Sequence, residues 1–210
     1  MGTQRTLVVA TRSEGKLREL LPLLDLCGWR GVTLTQAGIP YVPEEEAIEA
    51  FDSFEENALA KARWFLARQQ SPSALPVLAD DSGLCVDALD GAPGVRSKRW
   101  SGSDLAGDPL DAANNAALLR ALHNANDRDA HYVCVAVIVV AGAEWTARGA
   151  VHGEVLHAGR GAEGFGYDPL FLSHELGKTF GEATLEEKAV VSHRGRAIRA
   201  LLGRLPSTLG

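Results

Sequence analysis

Residues Tyr132 to Ala141 read YVCVAVIVVA, the longest β-rich run in the chain and almost wholly apolar; a Gly142-Ala143 turn separates it from a second such run, Glu144 to Leu156. Two β-rich runs joined by so short a turn predict an antiparallel hairpin. Its apolar first strand has to be buried. Upstream, strands and helices alternate. Thr6 to Ala10 is a short β-rich run, followed by a polar turn and by Leu17, Leu20, Leu21 and Leu24 at helical spacing, although Pro22 weakens that helix. Val32 to Thr35 predicts a second strand, and Pro43 to Glu49 an acidic loop. Ser53 and Glu56 have capping-box spacing at the start of a helix running to about Gln69, with Phe54, Ala58, Ala62 and Phe65 on one face. Val77 to Ala79 and Leu84 to Ala88 predict strand segments on either side of an acidic turn, and Asp108 to His123 a helix. Thr184 with Glu187 repeats the capping pattern, and a helix starting at Ser192 is expected through Leu205. Early alternation followed by a long hairpin implies an α/β fold, a mixed sheet flanked by helices.

The 210 residues fit one domain over 1–210, because no internal repeat, low-complexity tract or Pro/Gly/Ser linker divides them. A formal net charge of −6 argues against a nucleic-acid groove, which needs a basic face. A small polyanion is compatible with that charge given a local cluster of cations and a divalent ion; Lys16, Lys61, Arg99, Lys188 and Arg194 are candidates for the cluster. Cys27, Cys85 and Cys134 are odd in number and lack CxxC spacing, which points to a reducing cytoplasm. The apolar run Leu7 to Ala10 is too short for an export signal, and no segment approaches a membrane span.

The chemistry concentrates in four polar clusters. In Val77 to Asp90, VLADDSGLCVDALD, an apolar strand runs into two adjacent carboxylates, Asp80 and Asp81. Side chains at adjacent strand positions face opposite ways, so one of these acids must point inward or into a cleft, where a buried charge needs a partner. Mg²⁺ suits such a place, since it takes a few carboxylates and leaves its remaining positions to phosphates and water. The bland alternative is a solvated turn before Ser82-Gly83. The turn ATRSEGK, Ala10 to Lys16, leads from a strand into a helix and offers amides, a helix dipole and a lysine to an anion. It lacks the spacing of a Walker A loop, and alone it reads equally as a loop with a helix-starting serine. GRGAEG, Gly159 to Gly164, matches GxGxxG but runs into FGYDP instead of opening a helix, so the dinucleotide reading fails. Its glycines instead suit a loop that would deliver Phe165, Tyr167 and Asp168 to a pocket, where an aromatic ring can stack on a base, although on composition alone core packing is the stronger reading for Phe165 and Tyr167. His193 and Arg194 follow Ser192 at a helix start suited to gripping an anion or carbonyl, and read equally as an ordinary surface helix start.

Together these segments resemble the inosine triphosphate pyrophosphatase family. The likeness spans almost the whole chain through five ordered motifs: ATRSEGKLREL at Ala10, SFEENALAKAR at Ser53, LADDSGLCVDALDGAPGVRSKRWSG at Leu78, GFGYDPLF at Gly164 and EEKAVVSHRGRA at Glu186. The resemblance implies an elongated central mixed sheet with two lobes and the active-site cleft between them, Mg²⁺ dependence, a homodimer, and hydrolysis of ITP, dITP and XTP to the monophosphate and pyrophosphate. Carried over by position, Thr11, Arg12, Ser13, Glu14, Gly15 and Lys16 would hold the phosphates. Asp81 would be general base and metal ligand, with Glu49 the second acidic ligand, and Ser82 would contact substrate. Phe165, Gly166, Tyr167 and Asp168 would enclose the base, with Lys188, His193 and Arg194 completing the nucleotide site. Two departures stand out: Ser13 replaces the family's usual asparagine, and FGEATLEEK precedes Lys188 in place of an AEL-type sequence. The rival readings are a pyrophosphatase for standard or pyrimidine nucleotides and a nucleotide sensor that does not hydrolyse; the two acids speak against the sensor.

Overall fold

The computed structural model describes residues 5–69, 74–206 and 209. Among these residues seven strands form one sheet: β1 (Arg5–Val9), β2 (Trp29–Thr33), β3 (Val77–Val86), β4 (Asp129–Val140), β5 (Ala143–Val155), β6 (Phe171–Ser173) and β7 (Lys178–Thr179). Their order across the sheet is β2-β1-β3-β4-β5-β6-β7. β1 runs parallel to β2 and β3, with Val8 opposite Val32 and Val77, whereas β5–β6 and β6–β7 are antiparallel. The sheet is mixed, as the alternation and the hairpin predict. Among the described residues five α-helices accompany it: α1 (Glu14–Leu26), α2 (Phe54–Ala67), α3 (Asp108–Ala121), α4 (Leu185–Val191) and α5 (His193–Leu202). Residues group into two compact units, one comprising those as far as Asp81 with Cys134–Gly149 and those from Arg194 onward, the other Ser82–Val133 and Ala150–His193.

In the first unit, strand alternation divides the core in two. Leu7, Val9, Leu78, Cys134, Ala136 and Ile138 pack with Leu20, Leu23 and Leu24 of α1 and with Ala197, Ile198 and Leu201 of α5. Residues of the other parity, Val8, Ala10, Val77, Ala79, Val135, Val137 and Val139, pack with Ala58, Ala62 and Phe65 of α2. Helices cover both faces here, and so β4 has no polar face. Pro22 does not end α1. Its missing amide costs about 3 kcal/mol, and burial of Leu20, Leu23 and Leu24, each about 1.5–3 kcal/mol, offsets it. The second strand begins earlier than Val32 because Trp29 is buried in the core. It stops at Thr33, where the Thr33 amide donates to the Gln36 side chain and the Gln36 amide to Thr33 Oγ1. At α2, Ser53 Oγ accepts from the Glu56 amide and donates to the Glu56 carboxylate, so the Glu56 side chain takes the hydroxyl hydrogen instead of an orphan amide.

The largest difference from the sequence reading lies in β3. It is one ten-residue strand, Val77–Val86, and Asp80 and Asp81 lie inside it instead of in a turn between two segments. Their surroundings, described below, supply the compensation that keeps the strand continuous. In the second unit, Leu84 and Val86 of β3 pack with Leu118 and Leu122, with Val151 and Val155 of β5, and with Tyr132, Tyr167, Phe171 and Phe180. Thr184 and Glu187 form the full reciprocal cap of α4. Ser192, extended at ψ 154°, separates α4 from α5, and α5 ends at Leu202, short of Leu205.

Gly83 is required by close approach. A Cβ there would lie 2.2 Å from the Gly94 carbonyl oxygen and 2.6 Å from Ser97 Oγ, the same hydroxyl that accepts from the Leu84 amide and donates to Gly94 O. Gly83→Ala should therefore overpack this contact and cost about 1–3 kcal/mol, read as a melting temperature lower by about 3–10 °C. An unshifted melting curve would show that the Gly94–Arg99 turn yields freely.

Candidate functional site

Alternation along β3 sends its two acids to different neighbours. Asp80 lies on the side of Leu78 and Cys134, toward α1 and α5, and is 1 % exposed. Its Oδ2 accepts from Lys16 Nζ at 3.1 Å, Arg194 Nε at 3.2 Å and Cys134 Sγ at 3.8 Å. Lys16 also donates to the Asp80 carbonyl at 3.3 Å, and Arg194 extends the network to Glu19 of α1. Burial alone would raise the Asp80 pKa, but Lys16, Arg194 and Lys61 hold it far below the usual carboxylate range. The guanidinium answers in kind: burial would lower the Arg194 pKa, and Glu19 and Asp80 raise it instead. Three cations thus favour Asp80 as a carboxylate that ties β3 to α1 and α5.

Asp81 lies on the other side, with Val77, Ala79 and α2, and is 7 % exposed. Asn57 Nδ2 donates to its Oδ2 at 3.0 Å, and Asn57 is itself oriented by bonds to the amide and carbonyl of Phe51. One turn on, Lys61 pairs with Glu49. Burial raises the Asp81 pKa, with Glu49 adding to it, against the lowering effects of Lys16, Lys61 and the Asn57 amide. Glu49 goes the other way, since Lys61 and Lys16 overcome the rise that burial would give. Two carboxyls joined by one peptide bond are thus pushed apart in acidity, the pattern expected when one group anchors and the other handles a proton.

Mg²⁺ is tested by this donor set. The ion needs one or two carboxylates and fills its octahedron with water and phosphate oxygens. An ionised Glu49 within the field of Asp81, both beside Lys61, meets that need; among the described residues no larger His, Cys, Asp or Glu group builds a closed cage. The residues fit the ion, and Asp81 and Glu49 would hold it.

Within the first loop, Thr11 is buried and its Oγ1 accepts from the Ser13 amide; Ser13 Oγ then caps α1 by accepting from the Lys16 amide at 3.3 Å. Glu14 and Gly15 form the first turn, the acid suiting the helix dipole. Arg12 turns elsewhere, making two bonds to Glu45 at 3.0 and 2.8 Å and one to the Ile39 carbonyl. Of this loop, Lys16 alone reaches the acids of β3. Arg194 joins them as well, as a buried tether between Asp80 and Glu19.

The remaining candidates belong to the second unit. Ser82 follows the acids on β3 and is half-buried. Asp168 accepts from the Phe165 amide at 2.8 Å and pairs with the buried Lys188, whose Nζ lies 5.3 Å from the Phe165 ring centre and 5.1 Å from that of Phe180. Tyr167 is a core residue with its hydroxyl donating to the Ser97 carbonyl at 2.8 Å, whereas Phe165 is only half-buried. His193 is 3 % exposed and stacks on Tyr132 at 4.6 Å. Gly166, at φ +64°, is gripped through both its amide and its carbonyl by Asp111 and Asn115 of α3.

Sequence reasoning missed Asn57, Glu19, Asp111 and Asn115. Asn57 had a signal: it stands four residues before Lys61, a polar pair bordering the apolar face of α2. Glu19, Asp111 and Asn115 had none, because their partners are 175, 55 and 51 positions away.

Comparison with known proteins completes the description. The model of the Ham1 family matches residues 7–204. The dITP/XTP pyrophosphatase of Geobacter sulfurreducens is 46% identical over 202 residues, covering 95% of this chain and 96% of its own. That of Ralstonia nicotianae is 47% identical over 205 residues, covering 96% of each. Among solved structures, a HAM1 protein from Coxiella burnetii superposes with a TM-score of 0.78 at 34% identity, covering 95% of this chain and 97% of its own.

Proposed function

The chain belongs to the Ham1 family, and we propose that it hydrolyses the non-standard purine triphosphates ITP, dITP and XTP to the nucleoside monophosphate and pyrophosphate, removing them from the nucleotide pool. The observation that carries this reading is Asp81, buried beside an ionised Glu49 and two lysines in a chain 46–47% identical, over nearly its full length, to relatives named for that activity.

Asp81 acts as the base. Its buried position and the Asn57 bond that orients it suit it to take a proton from a water attacking at the α/β phosphate junction. Mg²⁺, held by Asp81 and Glu49, would neutralise charge on the phosphates. Lys16, fixed by Asp80, brings a positive charge to the phosphate end, and electrostatic stabilisation of this kind is usually the largest contribution to phosphoryl chemistry. The Thr11–Lys16 loop, chiefly through Lys16, and Ser82 would serve the phosphates, Phe165 to Asp168 would enclose the base, and Lys188, His193 and Arg194 would complete the nucleotide site, Arg194 by way of Asp80. Donors aimed at a 6-keto oxygen would discriminate against adenine, whose amino group leaves them unpaired. The three free cysteines suit a reducing cytoplasm, and the resemblance implies a homodimer. Among the described residues no helix is long and apolar enough to cross a membrane.

The deciding experiment is pyrophosphate release from ITP, XTP, GTP, ATP and dTTP with and without Mg²⁺. A Mg²⁺-dependent preference for ITP and XTP is expected; preference for dTTP or ATP, or binding without release, sinks the reading. Phe165→Ala should raise KM for ITP by about 5- to 100-fold, the worth of one base stack, with kcat little changed. An unchanged KM would remove the ring from base recognition.

A further inference from the structure

The loop Phe165–Asp168 is over-determined by bonds from outside it. Asp111 Oδ2 accepts from the Gly166 amide at 2.7 Å, and Asn115 Nδ2 donates to the Gly166 carbonyl at 2.9 Å. Asp111 and Asn115 are four residues apart on α3 and therefore share a helix face. The peptide groups they hold belong to a glycine at φ +64°, a conformation that Phe165 on one side and Tyr167 on the other depend on for their direction. Tyr167 is pinned independently by Ser97, and Asp168 by Lys188. Phe165 rides on the same backbone, its amide donating to Asp168 and its ring centre 5.3 Å from Lys188 Nζ. The clamp also has a cost. Asn115 Oδ1 is buried without a hydrogen-bond partner among the described residues, an orphan acceptor of the kind that usually destabilises a fold. Its amide orientation is fixed all the same, because a flipped Asn115 would set oxygen against the Gly166 carbonyl oxygen. An element kept at the expense of stability is a candidate for a role in function.

We propose that Asp111 and Asn115 are positioning residues for base recognition: from one face of α3 they clamp the Gly166 peptide and fix the aromatic loop that receives the purine. This rests on the nucleotide reading above and deepens it, since neither residue touches the phosphates or the acids of β3. Loosening the clamp weakens base binding and leaves the chemical step alone.

The test is steady-state kinetics with ITP for Asp111→Ala, Asp111→Asn and Asn115→Leu, together with thermal melting and amide exchange at Gly166. Asp111→Ala and Asn115→Leu should raise KM by about tenfold, the scale of one hydrogen bond to a charged or fixed group, with kcat within about twofold. Asp111→Asn keeps an acceptor for the Gly166 amide and should recover most of that loss. Asn115→Leu removes the orphan acceptor along with the bond, so its melting temperature should hold or rise while KM climbs, which a merely structural residue would not do. Parental KM in both variants, losses confined to kcat or to melting temperature, or Asp111→Asn no better than Asp111→Ala would each overturn the proposal. If the parent protein fails to turn over ITP, the function reading falls separately and the clamp is judged by exchange alone. Faster exchange of the Gly166 amide in Asp111→Ala upholds it, and unchanged exchange overturns it.

Discussion

Replacing Asp81 by asparagine is expected to lower kcat for ITP by about a thousandfold or more, since removing a positioned base costs roughly 10²–10⁴-fold and this side chain is also a proposed metal ligand. Asparagine keeps the shape and one acceptor oxygen, and Asn57 Nδ2 can still donate to it. The fold should survive, because Asp81 is not the residue that neutralises Lys16 and Arg194. Circular dichroism and a melting curve near those of the parent, beside lost pyrophosphate release, are the expected pair of results. Retention of parental turnover would remove Asp81 as the base, whatever the remaining acids do.

Asp80→Asn should give the opposite profile, a loss dominated by stability. The substitution leaves Lys16 and Arg194 without the carboxylate that both bind, and Arg194 is 2 % exposed with Glu19 as its remaining acid. Removing one partner of a buried ion pair typically costs about 3–5 kcal/mol. In a chain of this length that corresponds to a melting temperature lower by roughly 6–20 °C. Activity should fall too, through a displaced Lys16, but less steeply than in Asp81→Asn when measured well below the melting transition. Urea unfolding of the two variants side by side separates the roles. Equal destabilisation would mean that the division into anchor and base is wrong.

How much of this was legible in the sequence depends on how far away the deciding partner lies. The hairpin, the caps at Ser53 and Thr184 and the mixed sheet were readable, because each is set by residues within a few positions of one another. Asp80 and Asp81 were visible as unusual, yet the local pattern suggested that the strand broke there. It continues because the compensating charges arrive from positions 16, 61 and 194, which no window around residue 80 contains. Pro22 misled in the same way, since leucines facing a distant core outweigh its missing bond. For the site, the resemblance supplied positions but not postures. Arg12 is turned to Glu45, Tyr167 lies in the core, and Arg194 is locked between two acids.

The alternation along β3 bears on what kinds of mutation the protein tolerates. Asp80 and Asp81 share a peptide bond yet pack toward different helices, while Lys16 of α1 and Lys61 of α2 act electrostatically on both, so a change of charge at either lysine should be felt by the two acids together. Gain or loss of a single residue between Val77 and Asp80 would exchange the two packing environments at once, setting Asp80 among partners of α2 and Asp81 against Arg194. Length in this strand should therefore be invariant among working homologues even where its apolar residues drift.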